Sequence, residues 1–202
     1  MVIDENTLGP ELKRWFSTSI LLTDVVDFND TVAFKIVCEQ FQLDYNRYFL
    51  NEQSISLDKL LSRTELVGIL LYRLSRYYFL SANEIVAQQY ALLGRFIAGF
   101  EIYYSAHIGS GLKINHGLGT VIGARVVIGN NALIHQGVTF GDKNSGRPVL
   151  KDNVTVYAGA KLLGNITVGN NSVIAANCVC FTDVPDDSTA VGMPAKIINK
   201  NK

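Results

Sequence analysis

Between residues 101 and 196 the aliphatic positions recur every six residues. One block holds Ile102, Ile108 and Ile114, and a second holds Ile122, Ile128, Ile134 and Phe140. A third runs Leu150, Val156, Leu162, Val168, Ile174 and Cys180. Small or β-branched side chains stand two residues before many of these, at Ala106, Val126, Ala132, Val138, Val154, Ala160, Ile166, Ser172 and Cys178. A period of six is neither the 3.6 of an amphipathic helix nor the alternation of a simple strand. It fits a three-sided β-solenoid, where each face is a short strand with one aliphatic residue pointing inward and each corner is a tight turn. Asn130-Asn131 and Asn170-Asn171 read as such corners, because Asn and Gly tolerate the backbone that a sharp turn needs. The thirteen repeats predict a little over four coils. The register slips by two residues between Ile114 and Ile122, and the larger break, between Phe140 and Leu150, is where a loop would reach an active site.

The first 99 residues have a helical texture instead. The spacing places Val32, Phe34, Ile36, Val37 and Phe41 along one side of a helix from Asp30 to Phe41. Ser56 is the N-cap of a short segment ending at Ser62. A longer helix from Thr64 to Phe79 carries Leu66, Ile69, Leu70, Leu74 and Tyr77 at core spacing. Ser81 and Glu84 form a capping box that starts the next helix, from Ala82 to about Ile97, and Gly99 ends it. The chain therefore reads as an α+β protein: an all-α helical domain over residues 1–99, then a β-solenoid with a short C-terminal tail over residues 100–202, with no linker that would let the two move independently.

Charge changes this picture only by exclusion. Eighteen basic and eighteen acidic residues balance, leaving no electrostatic footprint for nucleic acid or an anionic membrane. The apolar run from Leu66 to Phe100 is broken by Arg73, Arg76, Glu84 and Arg95, too often for a membrane span. Asp4, Glu5 and Glu11 argue against a signal peptide. Three cysteines without a CxxC make no disulfide framework, and Cys178 and Cys180 fall on inward positions as buried thiols. A cytoplasmic protein is expected.

Candidate chemistry is sparse. The histidines are His107, His116 and His135, and they fall at different phases of the repeat. With the two-residue insertion counted, Gln136 rather than His135 lies one coil above His116, so a zinc site built from stacked histidines is disfavoured and no metal is expected. His116 stands at the register slip, in Asn115-His116-Gly117-Leu118-Gly119. A bulge there would re-aim the side chain toward a cleft, although a solvated histidine at a turn fits the spacing equally well. Glu101, fifteen residues earlier, is a possible orienting carboxylate.

These residues carry a family resemblance. Phe100 to Ile102, Ala106 to Gly111 and Ile114 to Gly119 are similar to the opening of the catalytic domain of serine acetyltransferases. So are Gln136 to Gly141, Ala158 to Ile166, and the exit Asp183-Val184-Pro185 with Val191 to Lys196. The resemblance covers about half the chain, and in the helical part it is limited to Leu71 to Ser75. It implies a left-handed parallel β-helix of hexapeptide repeats, assembled as a homotrimer or a dimer of trimers, that moves acetyl from acetyl-CoA to a small hydroxyl compound in cysteine biosynthesis. His116 would be the general base and Glu101, where the family usually has Asp, its carboxylate partner. Asn115 and Arg147 would bind the acceptor, and Gly141, Ala158 and Ala176 would line the groove for the CoA arm.

Two departures bear on the acceptor. The family's loop before the proline matching Pro148 has adjacent Arg and His, whereas here Asp142 to Arg147 is shorter and lacks the histidine. The family's Asp-Pro pair in the helical domain has no counterpart, since residues 11–100 contain no proline. L-serine leads as acceptor, with a carbohydrate hydroxyl or another hydroxylated amino acid as rival, and a non-catalytic solenoid scaffold as a further reading. Ile197 to Lys202 are short and end in a cation, so a stable complex with the sulfhydrylase that binds an Ile-ended tail in this family is not expected.

Overall fold

The computed structural model describes residues 8–16 and 29–199. Asp4, Glu5 and the last three residues of the tail, named above, lie outside the described residues. The chain divides between Ala98 and Gly99 into two compact units.

Among the described residues the first unit contains five helices: α1 (Leu8–Phe16), α2 (Thr31–Tyr45), α3 (Leu57–Leu61), α4 (Thr64–Leu80) and α5 (Glu84–Ala98). Phe34, Val37 and Phe41 of α2 are buried, joined by Ala33, Asp44 and Tyr45. Val32 and Ile36 are not on that side, being 61% and 50% exposed. At about 100° per residue a side chain two positions from Phe34 projects to the opposite face of the helix, so the apolar run overstated the stripe. On α4, Leu66, Ile69, Leu70 and Leu74 are buried as the spacing requires. Tyr77 is only half-buried, and Tyr78 fills the core instead, stacked on Tyr90 of α5 with ring centroids 5.4 Å apart. Asp44 and Arg73 form a buried bidentate ion pair between α2 and α4, with distances of 2.9 and 3.0 Å.

Two caps differ from expectation. Ser56 occupies the N-cap of α3 but makes no side-chain cap bond. Ser81 closes α4, its hydroxyl donating to the carbonyl of Tyr77 at 3.0 Å, and the start of α5 falls to Asn83, whose Oδ1 accepts from the N–H of Val86 at 3.4 Å. Ala82 takes φ +58, so the chain turns once more between the helices before α5 can begin.

The second unit is a parallel β-solenoid with three faces. The first face stacks β1 (Glu101–Ile102), β4 (Val121–Ile122), β7 (Thr139–Gly141), β10 (Lys161–Leu163) and β13 (Val179–Cys180). The second stacks β2 (His107–Ile108), β5 (Val127–Ile128), β8 (Val149–Leu150) and β11 (Thr167–Val168). The third stacks β3 (Lys113–Asn115), β6 (Leu133–His135), β9 (Thr155–Val156), β12 (Val173–Ile174), β14 (Ser188–Val191) and, antiparallel on β14, β15 (Lys196–Asn199). The inward columns are those of the repeat: Ile102, Ile122, Phe140, Leu162 and Cys180 lie over one another on the first face, and Ile114, Ile134, Val156 and Ile174 on the third. Every one of these side chains is buried.

The corner between the second and third faces is stitched by polar ladders. Asn130, Asp152, Asn170 and Asp186 each accept, through Oδ1, the backbone N–H one coil earlier, at 2.7 to 3.1 Å. Beside them Asn131, Asn153, Asn171 and Asp187 form a chain of side-chain hydrogen bonds, all four with φ between +55° and +60°. The left-handed backbone is what points these side chains along the solenoid axis, and Asn and Asp adopt it at lower cost than other residues with a Cβ. Among the described residues no helix is long and apolar enough to cross a membrane.

Candidate active site

The corner between the third and first faces carries the insertion of two residues, and it is here that His116 is presented. Its coils are marked by His116 to Gly119, then Gln136-Gly137, Ala158-Gly159 and Ala176-Asn177. His116, Gly117 and Gly119 all have left-handed φ, at +63°, +53° and +71°. Only Gly fits at position 117, where a Cβ would stand 2.5 Å from a ring carbon of Phe100. With the backbone tucked inward there, the preceding His116 is exposed.

The bulge is fastened on both sides. Gly119 donates to the carbonyl of Gly99 and Glu101 to that of Thr120, each at 2.9 Å, so the loop of His116 runs against the strand of Glu101. Thr120 is buried, donates through Oγ1 to the carbonyl of His135 at 2.9 Å, and receives the N–H of Val138 at 3.3 Å. Left-handed φ on a non-glycine residue costs of order 1 kcal/mol and persists only where its surroundings enforce it, which these bonds do at His116.

Ala158 and Ala176 continue the same corner. Gly137 donates to Leu118, Gly159 to Gln136 and Asn177 to Ala158 through backbone bonds of 2.9 Å, making one straight edge. At about 4.8 Å per coil it extends roughly 14 Å from His116 to Ala176. Asn115 borders the edge on the third face and is paired in register with His135. Above it His135 stacks on Tyr157, centroids 4.9 Å apart. Burial pushes the imidazole of His135 below its ordinary pKa, and the nearby His116 adds to this. His107 lies on β2, on another face. Among the described residues no three His, Cys, Asp or Glu side chains are grouped to hold a metal.

Gly141 and Arg147 stand elsewhere. Gly141 ends β7 at the far side of the first face, where Leu163 covers it so closely that a Cβ would approach to 2.9 Å. Residues 142–147 form a two-residue hairpin: Lys143 pairs with Gly146, and Asn144 and Ser145 have φ +54° and +63°. The hairpin lies on its own solenoid, with the Lys143 ammonium 4.2 Å from the ring centroid of Phe181. Arg147 holds the corner, its Nε donating to Ala124 at 2.9 Å, and one terminal nitrogen donating to the carbonyl of Gly146 and to the Asp142 carboxylate. The structure thus gathers His116, the strand of Glu101, Asn115, Ala158 and Ala176 around one corner and leaves Gly141 and Arg147 a face away. Sequence reasoning missed Thr120 and Tyr157, and weighed His135 only as a metal ligand. Register counting alone could have aligned Asn115, His135 and Tyr157, but not shown the rings in contact.

Comparisons with known proteins bear on the family and the fold. The bacterial transferase hexapeptide (six repeats) model matches residues 147–182. The serine acetyltransferase of Helicobacter pylori is 44% identical over 139 residues, 67% of this chain and 81% of that protein. That of Synechococcus elongatus is 38% identical over 149 residues, 72% of this chain, and the match spans only 61% of its length. A serine acetyltransferase solved in complex with CoA superposes with a TM-score of 0.79 at 26% identity, covering 95% of this chain and 85% of that one. A relative matched over four-fifths of its length, with the same helical unit and solenoid in a solved structure, leaves one assignment: the chain belongs to the serine acetyltransferase family.

Proposed function

We propose that this chain is an acetyl-CoA-dependent serine O-acetyltransferase with His116 as general base. The observation that carries the reading is the bulge, which holds an exposed imidazole in left-handed backbone at the head of an edge of small residues. The imidazole takes the proton of the acceptor hydroxyl as its oxygen attacks the thioester carbonyl. The carboxylate of Glu101 sets the tautomer and stabilises the imidazolium. As the tetrahedral intermediate collapses, the carbon–sulfur bond breaks and the imidazolium returns its proton to the departing thiolate. No cysteine stands at the edge to form an acyl-enzyme, so the transfer is direct, within a ternary complex.

Ala158 and Ala176 give the CoA arm a smooth edge, Gly141 lies against it from a neighbouring subunit, and Asn115 faces the acceptor. Arg147 offers its second terminal nitrogen to the acceptor carboxylate while the other holds Asp142. In one chain Arg147 and His116 flank opposite ends of the first face, so a complete site needs the corner of another copy. That supports a homotrimer through the solenoids, with dimers of trimers through the helical unit. A donor such as acetyl-CoA suits a cytoplasmic enzyme. Lys196–Asn199 are engaged on β14, which disfavours their serving as an extended peptide for a sulfhydrylase.

The test is release of free thiol from acetyl-CoA with serine, homoserine and sugars as acceptors. Release with serine first among them is expected. Release only with sugars would move the acceptor to a carbohydrate, and neither release nor CoA binding would leave a scaffold.

A further inference from the structure

We propose that His135 and Tyr157 form an aromatic shelf against which the pantetheine arm of acetyl-CoA packs on its way to His116. The proposal rests on the reading of this corner as an acetyl-CoA site and assigns it a wall that the small-residue edge lacks.

The shelf follows from register. Asn115 pairs with His135, and because Leu133 pairs with Thr155 and Ile134 with Val156, the next residue outward from His135 is Tyr157. These three therefore make one outward row on the third face, immediately beside the edge formed by Leu118, Gln136, Ala158 and Ala176, at whose head His116 bulges out. Within the row the two rings are stacked, with centroids 4.9 Å apart and planes 28° apart, so each limits the other's rotamers. Tyr157, next in sequence to Ala158, is 43% exposed even so. One coil further on the row drops to Ala175, so the shelf ends where the edge is still smooth.

Three features suit the middle of the CoA arm, a chain of methylenes interrupted by amides. An aromatic face packs on methylenes with little entropy cost when its rotamer is already fixed. The imidazole of His135 is biased toward its neutral form by burial and by His116, so the shelf presents no charge to an apolar segment. On the edge beside the shelf, the Oε1 of Gln136 is buried without a hydrogen-bond partner. A buried acceptor left alone costs free energy, and an amide N–H of the arm is the group that would satisfy it.

Calorimetry of CoA binding, run beside steady-state kinetics, tests this. Tyr157→Ala is expected to weaken CoA binding about tenfold and to raise the KM for acetyl-CoA equally, with kcat and the acceptor's KM unchanged. Tyr157→Phe keeps most of the affinity, and His135→Leu, which removes one ring of the stack, gives an intermediate loss. Thermal melts establish that the variants are folded, as the exposure of Tyr157 leads one to expect. If the wild type binds CoA and Tyr157→Ala binds it equally well, the shelf is wrong and the site reading stands. If instead the acceptor's KM rises alone, the shelf belongs to the acceptor and the proposal is overturned. A wild-type chain that binds no CoA removes the site reading itself.

Discussion

At the scale of single residues, His116 is held in left-handed backbone, at φ +63°, by a bulge fastened through Gly119 to Gly99 and through Glu101 to Thr120. If it is the base, His116→Ala lowers kcat by on the order of 10²–10⁴ while CoA affinity and the melting temperature stay near wild type. Near-normal turnover in that variant would sink the mechanism. The cysteines give an independent check on burial. Inside the solenoid, desolvation and then the neighbouring Cys180 push the thiol of Cys178 up to about 11. Cys180 is shifted upward by burial as well. The thiolate is the reactive form, so at pH 8 only about one Cys178 in a thousand is available. Thiol titration of the folded protein should find the half-buried Cys38 first and the other two only after denaturant is added. Prompt reaction of all three would mean that the coils near residue 180 are open.

At the scale of elements, the corners carry stability that the strands, two to four residues long, do not supply alone. Asn153 accepts from Asn131 at 3.2 Å, donates to Asn171 at 3.1 Å, and has φ +60°. Asn153→Ala loses both bonds and places a less tolerant residue in left-handed backbone, a cost of about 1–2 kcal/mol. Asn153→Gly loses the bonds but keeps the backbone freedom, so denaturant titration should rank it above the alanine variant. Equal midpoints would show that the ladder, not the backbone, matters. The hairpin of residues 142–147 poses a different question, because Arg147 both ties it to Ala124 and is proposed to meet the acceptor. Arg147→Ala is expected to raise the acceptor's KM several-fold and leave that of acetyl-CoA nearly unchanged. Equal changes in both would reduce Arg147 to an anchor.

At the scale of the whole molecule, if Arg147 meets the acceptor at His116, their separation in one chain requires a second copy. The strands of the first face run between them, and Arg147 is tied to Ala124 and Asp142 at the other corner. Light scattering at working concentration should therefore give at least three copies, and activity should fall on dilution below the dissociation constant of the oligomer. An active monomer would contradict this and would require the acceptor carboxylate to be held by groups of the same corner.

The solenoid was legible in the sequence because its physics is local. Each repeat buries one aliphatic residue against the repeats directly above and below, so a period of six states which side chains point inward, and the buried columns from Ile102 to Cys180 are those the period marks. The bulge at His116 was legible for the same reason: two extra residues with two glycines cannot stay in a flat coil. What only the tertiary structure decided was which residues share an edge. Coils of 20, 18, 22 and 18 residues, from Ile102 through Ile122, Phe140 and Leu162 to Cys180, move Gly141 and Arg147 to one corner and stack Ala158 and Ala176 over Leu118, in the bulge of His116, at another. In the helical unit less could be read. Which side of α2 is buried depends on what α4 presents to it, and the Asp44–Arg73 pair joins residues 29 apart, which no helical period encodes.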